Sequence, residues 1–193
     1  MRATKLARLL ALVGVAALTP AVAWASVFMP VSDQQLVCES TEIVRGTVIE
    51  VNSVWEGNPK AIWTYALVQV DRPIRGNRAI GEIVQIKEIG GTVGDYTIVA
   101  QQFPTFQEGE DVVMLLSPWD DGSGVLRVHG FGRGMFSVSK QHGRPDLATR
   151  YDVIESRRPV MHVDHVPPVV GAEDLVKDLG DLSGRCAPKG GGR

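Results

Sequence analysis

The sequence predicts a mainly β protein, either an antiparallel sandwich or a small barrel, with a short helix near each end. Seven short apolar or alternating stretches recur at intervals of roughly 10–15 residues. Clusters rich in glycine, asparagine and aspartate separate them, and no helical periodicity lies between them. Strands that follow one another without intervening helices favour antiparallel pairing over an α/β fold.

The first predicted element is a short helix. Ser32 and Gln35 stand at the N-cap and N3 positions of a capping box, a pattern typical of a helix start. We expect this helix to end at about Thr41, with Leu36 and Val37 on its buried side.

The strands follow the first helix. Residues 43–55 form a β-rich run whose apolar positions change face near Val48, which predicts a bulge there. Residues 62–70 are apolar on both faces, which predicts a central strand. The remaining predicted strands cover 82–89, 96–100, 112–116, 125–128 and 135–139, with a hairpin turn at 120–124.

The C-terminal part is less regular. The Arg157-Arg158-Pro159 sequence and the Pro167-Pro168 pair within residues 140–170 predict an extended segment that lies over the barrel. Residues 173–182 predict a second helix, because acidic residues occupy its first turn and Leu175, Leu179 and Leu182 share one side.

The first 25 residues have the pattern of a secretory signal peptide. Three basic residues precede an apolar run over 9–22, and an Ala-Trp-Ala sequence predicts cleavage before Ser26. An uncleaved membrane anchor is the alternative, although the run is at the short limit for a spanning helix. Cleavage predicts a secreted or periplasmic protein, with a single domain over 26–186 and a disordered tail over 187–193.

The charge of the remaining chain excludes some partners. The signal segment holds three of the 20 basic residues and none of the 22 acidic ones, which leaves a net charge of −5. Such a chain offers no basic face for nucleic acid or an anionic membrane surface. We therefore expect no nucleic-acid partner, and no membrane span after cleavage.

The two cysteines, Cys38 and Cys186, are the only ones in the chain. In an oxidising compartment such a pair predicts a disulfide, here between the first helix and the end of the last one. Two free thiols and an intermolecular bond are the alternatives.

One local cluster contains metal-type ligands: His162, Asp164 and His165. In an extended segment the first two share a face and the third points the opposite way. A zinc site would therefore need His129 or His142 as well. A solvated polar patch is the simpler interpretation, so we expect no metal and no cofactor.

Catalytic motifs are absent from the sequence. It contains no G-x-S-x-G elbow and no H-E-x-x-H, and we assign no catalytic residue. The glycine-rich segments 90–94 and 130–134 precede strands rather than helices, which predicts turns rather than phosphate-binding loops. Trp55, Trp63 and Trp119 could form an aromatic ligand surface; ordinary packing, with Trp63 in the core, is the alternative.

Residues 36–116 contain a further recognisable pattern. A leading helix is followed by the pieces 43–48, 64–70, 74–76, 88–91 and 104–110. This order resembles uncharacterised secreted bacterial domains, which are similar in shape to the OB-like barrels of netrin and metalloproteinase-inhibitor modules. The resemblance implies an OB-like barrel. It implies no inhibitory activity, because those inhibitors chelate zinc through an N-terminal cysteine and Ser26 stands at that position here.

These observations favour a non-catalytic exported module that binds another exported protein or an envelope component. Two alternatives remain open. One is a small extracytoplasmic metal-dependent hydrolase that uses residues 162–165, and the other is a structural envelope protein. A zinc titration with a shift in melting temperature distinguishes the hydrolase from the binding module.

Overall fold

The computed structural model describes residues 31–151 and 169–187. These residues form two α-helices, ten β-strands and one turn of 3-10 helix. In chain order they are α1 (Asp33–Glu39), β1 (Glu42–Glu56), β2 (Ala61–Arg75), β3 (Ile83–Ile89), β4 (Gly91–Val93), β5 (Tyr96–Ile98), β6 (Asp111–Pro118), β7 (Leu126–Val128), the 3-10 turn (Phe131–Gly134), β8 (Met135–Ser139), β9 (Leu147–Arg150), β10 (Val169–Gly171) and α2 (Ala172–Gly184). The predicted mainly β class with two short helices is confirmed.

Five of the strands close into a barrel. β1 pairs with β2, β2 with β3, β3 with β7, β7 with β6, and β6 pairs back with β1. These pairings are antiparallel except β3–β7, which is parallel and contains the single residue pair Ile86–Leu126. β8, β9 and β10 continue the sheet from β6, and β4 and β5 form a separate hairpin. The architecture is therefore barrel-like, with one parallel pairing that the sequence did not predict.

β6 separates two apolar cores. Val112, Met114 and Leu116 point into the barrel, while Val113 and Leu115 point toward the helices. Because both faces of this strand are buried, its sequence is continuously apolar rather than alternating. The helices contribute Leu36, Val37, Leu175, Val176, Leu179 and Leu182 to the second core.

The first helix follows its capping signal. The Ser32 hydroxyl accepts a hydrogen bond from the backbone N–H of Gln35 at 3.2 Å. Leu36 and Val37 are buried, as predicted. The helix ends at Glu39, two residues before the predicted end. The backbone N–H of Thr41 donates to Leu116 O at 2.8 Å, so the chain already pairs with the sheet at this residue.

The first two strands also match their patterns, and both are longer than predicted. β1 changes register against β2 between Val48 and Glu50, so the predicted bulge is present. β2 lies between β1 and β3, which confirms its central position. It continues to Arg75 because its last residues still pair with the start of β1.

The region after β8 differs from the prediction. Instead of only an extended segment over the barrel, the described parts of 140–170 contain β9 and β10, which pair with each other in antiparallel register. Strands of three or four residues leave little periodicity in a sequence. The predicted signal peptide and residues 152–168 lie outside the described residues, as does the predicted tail beyond residue 187.

A disulfide joins the two helical segments to each other, and a buried ion pair joins α1 to the sheet. The Cys38–Cys186 disulfide joins α1 to the residues that follow α2, with a Cα–Cα distance of 5.3 Å. The carboxylate of Asp33 and the guanidinium of Arg150 form two contacts of 2.9 and 3.0 Å between α1 and β9. Within the described residues, no helix has the length and apolar character needed to cross a membrane.

Candidate ligand-binding face

The start of β2 carries aromatic side chains on the outside of the barrel. Ile62, Thr64 and Ala66 are buried. Side chains of a strand alternate between its faces, so Trp63 and Tyr65 point outward. Both are partly exposed, and their rings are therefore accessible at the surface.

Lys87 of β3 lies beside these two rings. It is the direct cross-strand neighbour of Tyr65. Its Nζ atom lies 4.6 Å from the centroid of the Trp63 ring and 5.4 Å from that of Tyr65. The ammonium donates to Glu56 Oε1 at 2.5 Å, and Tyr65 Oη donates to Glu56 Oε2 at 2.6 Å. Two rings and one carboxylate thus hold the cation in place.

Trp119, in the loop after β6, completes the aromatic group. Its ring centroid is 5.5 Å from that of Trp63, at an interplanar angle of 82°. Its Nε1–H donates to Lys87 O at 2.9 Å, which fixes the orientation of the indole. The Arg127 guanidinium lies 4.9 Å from the Trp119 ring. We call Trp63, Tyr65, Lys87, Trp119 and Arg127 the aromatic–cation face.

The electrostatics of this face favour binding over proton transfer. Burial lowers the pKa of Lys87, but hydrogen bonds to Glu56 and Tyr65 raise it by more, so the pKa lies above its usual value. The hydrogen bonds from Lys87 and Tyr65 hold the pKa of Glu56 below its usual range. At neutral pH the pair is therefore an ammonium and a carboxylate, and Lys87 has no lone pair for nucleophilic attack.

Two loops border the face. The turn between β1 and β2 follows Glu56, and the hairpin between β6 and β7 begins with Trp119. In this hairpin the Asp121 carboxylate accepts hydrogen bonds from the N–H and the hydroxyl of Ser123 at 2.9 and 2.6 Å, which confirms the predicted turn.

Behind the face, a carboxyl group points into the barrel. Glu88 is 2% exposed, and its Oε1 accepts from the backbone N–H of Val128 at 2.6 Å. Burial raises the pKa of Glu88 to about 7, although the hydrogen bond from Val128 and the charge of Arg127 act in the opposite direction. This hydrogen bond crosses from β3 to β7, whose backbone ladder contains a single residue pair. The buried carboxyl thus helps to close the barrel.

A second polar group, which the sequence analysis missed, lies between α1 and the barrel. Ser117 Oγ lies 3.2 Å from His129 Nδ1, and His129 Nε2 lies 3.5 Å from a carboxylate oxygen of Glu39. The order hydroxyl, imidazole, carboxylate is that of a nucleophilic triad. Ser117 is only 8% exposed, however, and it lines neither the cleft beside Arg78 nor the one beside Lys177. We interpret the group as a hydrogen-bond chain that joins α1 to the barrel.

The predicted metal ligands are only partly placed. His162, Asp164 and His165 lie outside the described residues. His129 takes part in the chain with Ser117, and His142 lies in an exposed turn. Within residues 31–151 and 169–187, no three His, Cys, Asp or Glu side chains are grouped to hold a metal ion.

The structure brings two of the three predicted tryptophans together. Trp63 and Trp119 are in contact, and Trp63 is at the surface rather than in the core. Trp55 lies apart from them, with its ring centroid 5.9 Å from that of Tyr96. Its cross-strand partner is Ile62, whereas Val54 faces Trp63, so Trp55 points to the other side of the sheet. The sequence contained a signal for this position: side chains alternate between the two faces of the strand 62–70, which places Trp63 opposite the buried Ile62.

No family model and no curated protein matches this chain. A functional conclusion therefore depends on the geometry of the aromatic–cation face.

Proposed function

We propose that this chain is an exported, non-catalytic module that binds an envelope component of carbohydrate chemistry through the aromatic–cation face. The contact between Trp63 and Trp119 carries this proposal. It places two indoles nearly at a right angle on one outer surface, with Lys87 and Arg127 beside them.

The chemistry of the face suits a sugar. A pyranose ring has apolar C–H groups that stack on an aromatic ring, and hydroxyl groups that form hydrogen bonds at its edge. Trp63 and Trp119 supply the apolar surface, while Lys87, Glu56 and Arg127 supply donors and acceptors around it. Because hydrogen bonds already fix the Trp119 indole and the Lys87 ammonium, a ligand orders few additional side chains.

The same face is a poor match for an oligonucleotide. Lys87 is paired with Glu56, and Arg127 Nη2 lies 3.9 Å from the Asp120 carboxylate. Neither cation is therefore available as an uncompensated charge for a phosphate backbone, which dominates the affinity of nucleic-acid binding. The predicted net charge of the exported chain is negative, which also disfavours binding to a nucleic acid.

The disulfide supports the exported location. The Cys38–Cys186 bond is of the kind that persists in the periplasm or outside the cell. It is compatible with the predicted signal peptide, and both features support a ligand in the envelope or beyond it.

A glycan array with matched tryptophan variants tests the proposal. The array carries peptidoglycan fragments and bacterial surface polysaccharides, and the probe is the purified exported protein. We expect the wild type to bind at least one glycan class, and Trp63→Ala and Trp119→Ala to lose that binding by about tenfold, since stacking on an anchoring aromatic ring is worth 1–3 kcal/mol.

Trp55→Ala is the matched control, because Trp55 is a 41% exposed tryptophan on the other side of the sheet. It should bind as the wild type does. Circular dichroism and melting curves establish that each variant is folded. A wild-type protein that binds no glycan on the array, or a loss that is equal in all three variants, would contradict the proposal.

A further inference from the structure

The two sulfur atoms of the Cys38–Cys186 disulfide have different surroundings. Cys38 lies in the last turn of α1, and Cys186 lies two residues after the end of α2. Both cysteines are partly exposed, so a small thiol can approach the bond. Both also lie near a helix C-terminus, where the helix dipole disfavours a thiolate. The other neighbours of the two sulfurs differ in charge.

A guanidinium group contacts the sulfur of Cys186. Arg75, the last residue of β2, has its Nη1 atom 3.2 Å from Cys186 Sγ. The same nitrogen donates to Val37 O at 2.8 Å. The hydrogen bond to this carbonyl holds the guanidinium beside the sulfur, where its charge stabilises a thiolate.

A neutral amide contacts the sulfur of Cys38. Gln34 Nε2 lies 3.0 Å from Cys38 Sγ and 3.7 Å from Cys186 Sγ. Hydrogen bonds from a charged donor are roughly twice as strong as those from a neutral one. The residue after Cys38 is Glu39, whose negative charge further disfavours a thiolate at Cys38. Negative charge is therefore better stabilised on Cys186 than on Cys38.

We propose that this disulfide is a thiol-exchange site at which an incoming thiolate attacks Cys38 and displaces Cys186. A new bond forms between the incoming sulfur and Cys38 Sγ, and the Cys38–Cys186 bond breaks. The electron pair of the broken bond remains on Cys186 as a thiolate beside Arg75. A second thiol of the same class can then attack the mixed disulfide, which releases Cys38 and leaves the two external thiols oxidised to a disulfide.

The preference follows from the leaving group. Thiol–disulfide exchange is faster when the departing thiol has a lower pKa, and the sulfur that is attacked is the other one. Because Arg75 stabilises the departing Cys186, attack on Cys38 is the faster of the two routes. The products are a reversibly modified Cys38 in α1 and an α2 without its covalent link, since the two helices are otherwise joined by apolar packing and the hydrogen bond from Gln34 to Leu182 O.

Trapping of the mixed disulfide tests the preference in the unmodified protein. The folded wild type is incubated with glutathione as the probe, free thiols are blocked with N-ethylmaleimide at mildly acidic pH, and peptides are mapped by mass spectrometry. We expect glutathione on the Cys38 peptide and N-ethylmaleimide on the Cys186 peptide. Equal labelling, the reverse pattern, or no mixed disulfide in the folded protein would overturn the proposal.

Matched arginine variants test the cause. Arg75→Met removes the charge beside Cys186 and should slow reduction, because a leaving thiol with a higher pKa departs more slowly. It should also abolish the preference for Cys38. Arg72→Met is the control, because Arg72 lies on the same strand and pairs with Glu173 at the surface. If Arg75→Met is folded by its melting curve and keeps the wild-type rate and labelling pattern, the assignment of Arg75 is wrong.

Discussion

The helix-covered side of the protein and the aromatic–cation face both contain ion pairs, but they bury them to different degrees. On the helix side, the side chains of Asp33 and Arg150 are 4% and 2% exposed. On the face, those of Lys87 and Glu56 are 11% and 41% exposed. The first pair connects a helix to the sheet, whereas the second connects β1 to β3 across β2, at a surface that leaves Glu56 open to solvent.

Because the two ion pairs differ in burial, we expect them to contribute differently to the free energy of unfolding. Removing one partner of a buried pair leaves a charge that neither water nor a counter-ion neutralises well, which is costly. A partly exposed pair contributes less, because water competes for the exposed charge. We therefore expect substitutions on the helix side to change stability, and substitutions on the face to change binding with a small effect on stability.

The largest effect is expected for the buried pair. Arg150→Met removes the guanidinium that neutralises Asp33, and should lower the free energy of unfolding by about 3–5 kcal/mol. Urea denaturation monitored by circular dichroism measures this change. Lys177→Met is the control, because its pair with Asp181 is exposed, and it should change stability by less than about 0.5 kcal/mol. Equal effects of the two substitutions would contradict the expectation that the buried ion pair contributes more to stability than an exposed one.

The disulfide comes next. Cys186→Ser, combined with Cys38→Ser to avoid a free thiol, should lower the free energy of unfolding by about 2–5 kcal/mol, because the bond closes a loop of 148 residues. The barrel core contains neither cysteine, so the far-UV circular dichroism spectrum should remain dominated by strand. A double variant with an unchanged melting temperature would show that the helices need no covalent fastening.

A pH dependence is expected from the carboxyl group behind the face. Its folded-state pKa, about 7, lies above the ordinary value of 4.5. Glu88 therefore contributes stability that is full below about pH 4.5 and is lost as the pH rises through 7. A shift of this size corresponds to about 3 kcal/mol.

Chemical denaturation between pH 4.5 and 8.5 measures how much of the pH dependence of stability comes from Glu88. The decline in stability of the wild type between pH 4.5 and 7 should be reduced in Glu88→Gln and retained in Glu50→Gln, whose side chain is exposed. Parallel pH profiles for Glu88→Gln and the wild type would show that Glu88 titrates normally.

The smallest effect is expected on the face itself. Lys87→Met removes a cation–π contact and a partly exposed ion pair, and should cost about 1 kcal/mol. Thermal denaturation measures this cost. A loss of stability as large as that of Arg150→Met would mean that the face mainly stabilises the fold, which would contradict its assignment to ligand binding.

The elements with strong local signals were predicted well. The capping box at Ser32, the hairpin turn at 120–124 and the leucine stripe of α2 are all present. β8 has the predicted bounds. These signals depend on neighbouring residues only, because hydrogen bonds and alternation within one segment repeat over a few positions.

The elements and contacts that were missed depend on distant residues. β9 and β10 are short, and pairing with distant residues places them in the sheet: β9 pairs with β8 and β10, and β10 pairs with β9. The chain of Ser117, His129 and Glu39 joins three separate elements, and no spacing in the sequence relates them. The candidate metal segment 162–165 lies outside the described residues and stays a prediction.

The sequence alone determined the mainly β class, the two helices and the pair of cysteines available for a disulfide, because periodicity, capping and composition are local properties. The tertiary structure alone decided that β6 returns to β1, that Trp63 meets Trp119, and that Arg75 lies beside Cys186. Each of these contacts depends on strand order and register across many residues. A one-residue shift in register would move every side chain of a strand to its other face.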